Sequence, residues 1–212
     1  MTPALSAVYD ELLARASEPP VEPRARALRE SFWRRTSILP PTGESEPEDR
    51  MLAAWDDALT SGGLAAELAP GFEDAAERAL ARVLPRAHRG VFRLERAGAQ
   101  LLAVDLISRA SFILLPRDDV ARGVAANEDD APLFEARIVA ATDGCATLPG
   151  VIFHPPDATV LIEQIVRTGR QRGMPRGSLC DALLRMHHTF FNLSRVKISY
   201  AYKVEALDAS PP

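Results

Sequence analysis

Cysteine and lysine are both scarce in this chain of 212 residues. The two cysteines, Cys145 and Cys180, stand far apart and match neither a disulfide framework nor a metal-binding motif. We therefore expect two buried free thiols. The only lysines are Lys197 and Lys203, so nearly every basic residue is an arginine. Because this bias is typical of a GC-rich genome, abundant arginine alone is weak evidence for recognition through paired hydrogen bonds.

Long apolar runs are lacking as well. No stretch of 18 apolar residues occurs, so no transmembrane helix is expected. The first residues, Met1-Thr-Pro-Ala-Leu-Ser, do not have the charged and then apolar layout of a signal peptide. A hydrophobic fraction of 47% with 25% charged residues is typical of a globular protein. These features predict a soluble, cytoplasmic protein with no membrane partner.

Sequence motifs of the common enzyme classes are also missing. The chain has no Gly-x-Ser-x-Gly element, no His-Glu-x-x-His pair and no phosphate-cradling glycine loop. Three carboxylate pairs, Asp56-Asp57, Asp118-Asp119 and Asp129-Asp130, are interpreted as charges of loops or of exposed helix faces. We therefore predict no cofactor and favour a protein that is not an enzyme.

The hydrophobic period divides the chain into three stretches. Residues 1–88 show helical spacing interrupted by prolines, and residues 89–153 change to a period of two with turn signals between five short segments. Residues 154–212 return to helical spacing. The predicted fold is therefore α+β, with N-terminal helices, a small antiparallel barrel-like sheet, two C-terminal helices and a closing strand.

The end of the chain carries the clearest local signals. Ser178 followed by Asp181 resembles a capping box and predicts the start of the second C-terminal helix. In residues 194–204 apolar residues alternate with Arg195, Lys197, Ser199, Ala201 and Lys203, which predicts a strand that pairs with the central sheet.

Charge is distributed unevenly along the chain. Between residues 160 and 205, eight basic and three acidic residues give a local charge of +5, whereas the whole chain has a net charge of −4. A basic surface on an acidic protein is suited to an anionic ligand, an acidic protein partner or nucleic acid. The residues predicted to form it are Arg167, Arg170, Arg172, Arg176, Arg195 and Lys197.

Two further groups of residues are weaker candidates. Arg86, His88 and Arg89 stand where the helical part joins the first strand, and together they could clamp an acidic group or pair with Asp118-Asp119. His154, His187 and His188 are the candidate ligands of a metal ion, but their spacing matches no established motif and a third ligand is not placed by the sequence.

Several short segments together resemble an uncharacterised bacterial protein family with a small β-barrel in its middle. They are His88-Arg-Gly-Val-Phe92, Val104-Asp-Leu106, Phe112, Ala136-Arg-Ile138 and Phe153-His-Pro155. The resemblance covers about a third of the chain. It implies the barrel architecture and brings no activity or catalytic residue with it.

Three hypotheses about function follow. The leading one is a non-catalytic cytoplasmic binding or adaptor protein whose basic C-terminal surface engages an acidic protein partner or an anionic ligand. Because patches of opposite sign attract, self-association is included in it. The alternatives are a nucleic-acid-associated regulator and a metal-dependent enzyme centred on His154 and on His187 or His188.

Overall fold

The structure is a computed structural model that describes residues 1–37, 47–115, 132–193 and 196–208, and it has the predicted α+β architecture. The α-helices are α1 (Pro3–Ala16), α2 (Glu22–Thr36), α3 (Glu48–Leu59), α4 (Leu64–Leu68), α5 (Ala75–Ala81), α6 (Thr159–Gln171), α7 (Arg176–Asn192) and α8 (Ile198–Ala201). The strands are β1 (His88–Ala97), β2 (Gln100–Asp105), β3 (Ser111–Leu114), β4 (Phe134–Ala141), β5 (Gly144–Thr147) and β6 (Ile152–Phe153). Short 3-10 helices cover Ala69–Gly71, Leu84–Arg86, Pro156–Ala158 and Val204–Asp208.

Five of the strands close into a small barrel. Their order is β1-β2-β3-β5-β4, and β4 returns to pair with β1, while β6 adds to β4. All pairings are antiparallel except β3 with β5, which is parallel. Alternate residues of each strand point inward and fill the barrel with apolar side chains, among them Phe92, Phe134 and Ile138.

The helices cover the barrel from outside. Helices α1, α4 and α5 bury their apolar faces against one another and against Val139, Ala146 and Leu148. Helices α6 and α7 form a second layer, whose core reaches Val91 and Leu106 at the barrel wall. Side chains of β1 alternate between the barrel interior and these helices, so this strand contributes residues to both hydrophobic cores. No helix of the described residues is long and apolar enough to cross a membrane.

The predicted closing strand is wrong. Of its residues, 196–204 are described, and they form α8 and the beginning of a 3-10 helix. The apolar residues Val196, Ile198 and Val204 pack against the helical layer instead of joining the sheet. The physical reason is that the β1–β4 pairing already closes the ring, so the segment satisfies its apolar side by packing on helices.

The predicted start of the second C-terminal helix also needs correction. Helix α7 begins at Arg176 with Pro175 at its N-cap, so Ser178 lies inside the first turn, and no side-chain capping hydrogen bond is formed. The segment between Cys145 and Phe153 forms two strands, β5 and β6, because Pro149-Gly150 interrupts the pairing with β4.

Gly150 is where this interruption packs against the helices. A Cβ atom at this position would lie 2.4 Å from both Cα and N of Ala53 in α3. The Gly150 amide also donates a 2.9 Å hydrogen bond to Asp56 Oδ2. The absence of a side chain therefore allows α3 to touch the sheet directly.

We predict that Gly150→Ala lowers the free energy of unfolding by about 1–3 kcal/mol, because the added methyl group would overlap the backbone of α3. Gly177→Ala is the matched control, since a Cβ atom there has open space and the residue lies in the first turn of α7. The control should be neutral or more stable by up to about 1 kcal/mol. Urea denaturation measures both, and equal stabilities would contradict the prediction.

Candidate functional site

A pocket of about 130 Å³ lies between β1, the turn after β2 and helix α6. Its walls carry four arginines and one glutamate, and two apolar side chains complete the lining. The lining residues are Arg93, Leu106, Arg109, Glu163, Val166, Arg167 and Arg170. Four guanidinium groups and one carboxylate leave the lining with a net charge of +3.

Local geometry explains why these residues meet. Ile162 and Ile165 of α6 are buried in the helical core, so Glu163, Arg167 and Arg170 share the neighbouring face that borders the pocket. Opposite them, Phe92 of β1 points into the barrel, and the next residue, Arg93, therefore points outward towards α6.

The turn after β2 supplies the third wall and is held by Asp105. Its carboxylate accepts hydrogen bonds from the Ile107 amide at 2.9 Å and from the Ser108 hydroxyl at 2.5 Å. The Arg109 amide in turn donates to the Asp105 carbonyl oxygen at 2.8 Å. Asp105 thereby fixes the turn that presents Arg109 to the pocket.

Two cationic or titratable side chains support Asp105 from other elements. Arg176 Nη1, from the first turn of α7, lies 2.5 Å from both Asp105 Oδ2 and His88 Nε2. Burial raises the pKa of Asp105, but hydrogen bonds from His88, Ser108, Ile107 and Arg176 outweigh it and hold that pKa well below its usual range. The carboxylate is therefore ionised whenever the protein is folded near neutral pH.

Most of the pocket's positive charge is not compensated by the protein. Arg93 pairs with Glu163, and both side chains are about one-third exposed, at 37% and 34%. Within the described part of the chain, Arg109, Arg167 and Arg170 form no ion pair. Three guanidinium groups are thus available to an incoming anion, and all three are exposed to solvent.

A second charged cluster is largely buried, and its most exposed side chain is that of Arg35, at 37%. Arg89 donates to Asp181 Oδ1 at 2.7 Å and to Glu135 Oε1 at 2.8 Å, and Asp181 also accepts from Arg35. Arg35 continues to Asp57, which also accepts from Arg137. We call this set the buried ion network; its members are Arg35, Asp57, Arg89, Glu135, Arg137 and Asp181.

Asp56 and Asp57, interpreted from the sequence as exposed charge, are both buried. Burial raises the pKa of Asp57, but Arg137, Arg89 and Arg35 outweigh it and lower the pKa below its usual value. Asp56 accepts a 2.6 Å hydrogen bond from the Tyr9 hydroxyl, and burial raises its pKa to about 6. The pKa values of these two neighbouring carboxylates are therefore shifted in opposite directions, upward for Asp56 and downward for Asp57. Asp118-Asp119 and Asp129-Asp130 lie outside the described residues.

Two of the three candidate metal ligands, His154 and His187, lie close together near β6. The ring centroids of His154 and His187 are 5.6 Å apart, and His154 Nδ1 lies 3.0 Å from the Tyr202 hydroxyl. Burial lowers the pKa of His154 to about 3 and those of His187 and His188 to about 4, so all three are neutral at pH 7. Within the described ranges, no three His, Cys, Asp or Glu side chains are grouped so that they could hold a metal ion.

The described residues of the predicted basic surface have different partners. Arg167 and Arg170 line the pocket, whereas Arg172 pairs with Asp208 at 2.8 Å. Arg176 contacts Asp105, as described above. Lys197 is exposed next to α8. Arg195 lies outside the described residues.

The residues of the predicted secondary site also have different partners. Arg86 is exposed, His88 contacts Asp105, and Arg89 belongs to the buried ion network. Both cysteines are free, Cys180 fully buried and Cys145 partly buried. Burial raises the pKa of both thiols, which does not favour nucleophilic chemistry.

The sequence reasoning missed Glu163 and two arginines of the pocket, Arg93 and Arg109. Arg93 had a usable signal, since its position in the alternation of β1 predicts an outward side chain, but the helix that would face it could not be predicted. The sequence gives no such signal for Arg109, because nothing in Ser108-Arg-Ala110 indicates that the arginine takes a left-handed backbone conformation, with φ of 67°.

Comparisons with protein-family models, with curated proteins and with solved structures found no match to this chain. The resemblance noted from the sequence gains no support from them. Function has to be inferred from the geometry of the pocket.

We predict that Arg109→Gly raises the free energy of unfolding by about 0.5–1 kcal/mol, because glycine adopts a φ of 67° without the steric cost that a Cβ atom brings. Arg109→Ala is the matched control, since it removes the same charge but keeps the Cβ atom and should not gain this stability. Chemical denaturation of the two variants and the wild type distinguishes them. Equal stability of the two variants would contradict a backbone effect.

A pH-dependent stability is predicted for Asp56. The folded state keeps its proton up to a pKa of about 6, whereas the unfolded chain releases it near 3.8. The contribution of Asp56 is therefore fully present below about pH 4 and is lost as the pH rises through 6, a change of about 3 kcal/mol. In urea denaturation between pH 4 and 7, the wild type should lose this amount relative to the non-titrating Asp56→Asn variant. A constant difference over that range would overturn the assignment.

Proposed function

We propose that the chain is a non-catalytic cytoplasmic binding protein that engages an anionic group in the pocket formed by Arg93, Arg109, Arg167 and Arg170. The supporting observation is the imbalance of charge in the lining, where three of the four guanidinium groups have no anionic partner among the described residues. Guanidinium groups bind carboxylates and phosphates through pairs of parallel hydrogen bonds. The anionic group belongs to a ligand or to an acidic protein partner.

The side chains in and beside the pocket favour a non-catalytic role. Among the described residues the lining contains no histidine, cysteine or serine side chain, and its one carboxylate, Glu163, is paired with Arg93. His88 is held against Asp105 and Arg176 at 2.9 Å and 2.5 Å. Binding is the chemistry that this set of side chains supplies.

The nucleic-acid alternative draws less support from the pocket. Single strands bind to protein by stacking bases on aromatic rings in a basic groove. No aromatic residue lines the pocket among those that the structure describes. Binding of a single-stranded oligonucleotide that weakens steeply with salt and depends on Arg167 and Arg170 would favour this alternative over the present proposal.

We expect the double variant Arg167→Ala, Arg170→Ala to bind phosphate, sulfate and acetate at least about tenfold more weakly than the wild type, because each charged hydrogen bond contributes about 1.5–3 kcal/mol. Isothermal titration calorimetry at low salt measures the dissociation constants. Both arginines are exposed on α6, so the variant should fold normally.

The matched control is the double variant Arg26→Ala, Arg34→Ala on the exposed face of α2. It changes the net charge by the same amount, and its arginines pair with Glu22 and Glu30 of the same helix and with no other acid of the described ranges. Binding should be unchanged in the control. If none of the three anions binds the wild type, or if both double variants lose affinity equally, the proposed function is refuted.

A further inference from the structure

We infer that the anionic group taken by the pocket is a phosphate monoester dianion, and that it exchanges with the Glu163 carboxylate for Arg93. This inference rests on the proposed function and narrows its ligand to one chemical class. It draws on the size of the pocket, on the charge that its lining leaves uncompensated and on the position of Glu163.

The size of the pocket limits what can enter it. Its volume of about 130 Å³ is well below the roughly 300–1,000 Å³ of pockets that enclose a whole drug-sized ligand. Only a compact group can therefore be surrounded, while the rest of a larger molecule stays outside. Leu106 and Val166 contribute no polar side-chain atoms, so recognition depends on the arginines alone.

The charge of the lining selects among compact anions. One carboxylate, that of Glu163, is already present, and the lining still carries a charge of +3. A second carboxylate would bring a single charge and two oxygens. A phosphate monoester brings a charge of about −1.5 to −2 at pH 7 and three strong acceptor oxygens. The monoester therefore satisfies more of the three unpaired guanidinium groups than a carboxylate can.

Glu163 occupies the position of an internal competitor. It pairs with Arg93 across the pocket, from α6 to β1, and forms no other ion pair within the described ranges. Ion pairs as exposed as this one are weak, so a dianion can displace the carboxylate at little cost. As long as Glu163 stays in the pocket, its negative charge repels the ligand. Removing that charge should strengthen binding.

The test compares methyl phosphate, a monoester, with dimethyl phosphate and acetate, which carry one charge each. Calorimetric titrations use the wild type, Glu163→Gln and the control Glu77→Gln, which removes the same charge from an exposed position on α5. We expect methyl phosphate to bind at least about tenfold more tightly than either monoanion. Glu163→Gln should improve that affinity by about two- to tenfold, whereas Glu77→Gln should leave it unchanged.

The Arg167→Ala, Arg170→Ala variant separates failure of this inference from failure of the proposed function. If an anion binds and the double variant weakens it, the pocket is the binding site. In that case, equal affinity for methyl phosphate and the monoanions, or no gain from Glu163→Gln, overturns the monoester assignment alone. If no anion binds, or if the double variant binds as the wild type does, both proposals fall. Glu163→Ala provides a second variant that removes the same carboxylate.

Discussion

The buried ion network joins the barrel to helices α2, α3 and α7. Helix α7 in turn contacts Asp105, which holds the turn that presents Arg109 to the pocket. From β1, Arg89 reaches Asp181 in α7; Asp181 binds Arg35 in α2, and Arg35 binds Asp57 in α3. The chain of contacts returns to the barrel through Arg137 of β4. Because a buried charge that loses its partner destabilises a protein by about 3–5 kcal/mol, each member constrains the position of the next. Helices α2, α3 and α7 are thereby fixed relative to the same two strands, β1 and β4.

Helix α7 is anchored at two points to neighbouring residues of β1. Asp181 binds Arg89 on the outer side of the strand, and Arg176 contacts His88 and Asp105 at the end of the barrel. Since side chains alternate along a strand, two adjacent residues of β1 can serve these separate clusters. The Asp105 contact connects α7 with the turn that carries Arg109. The structural clusters therefore set the geometry of the pocket without lining it.

The sequence predicted those parts of the structure that local periodicity determines. The N-terminal helices, the barrel strands and α6 follow from apolar spacing, and Arg167 and Arg170 were selected by a count of charge. The features that the sequence could not predict depend on contacts between residues that are far apart in the chain. The alternation through Val204 was compatible with a strand until the closed ring left it to pack on helices. Asp56 and Asp57 resembled exposed charge because their partners Tyr9, Arg35 and Arg137 come from three other elements.

The arginines of this protein occupy two kinds of environment, and the difference bears on function. In the buried ion network three guanidinium groups meet three carboxylates, so the charges balance within the fold. Around the pocket four guanidinium groups meet one carboxylate. Genomic bias explains why the bases are arginine and not lysine, but it does not explain why four of them surround one small volume. Since like charges held close together repel one another, such an excess opposes folding unless an anion relieves it. Pairing, and not abundance, therefore separates the arginines of the buried ion network from those around the pocket.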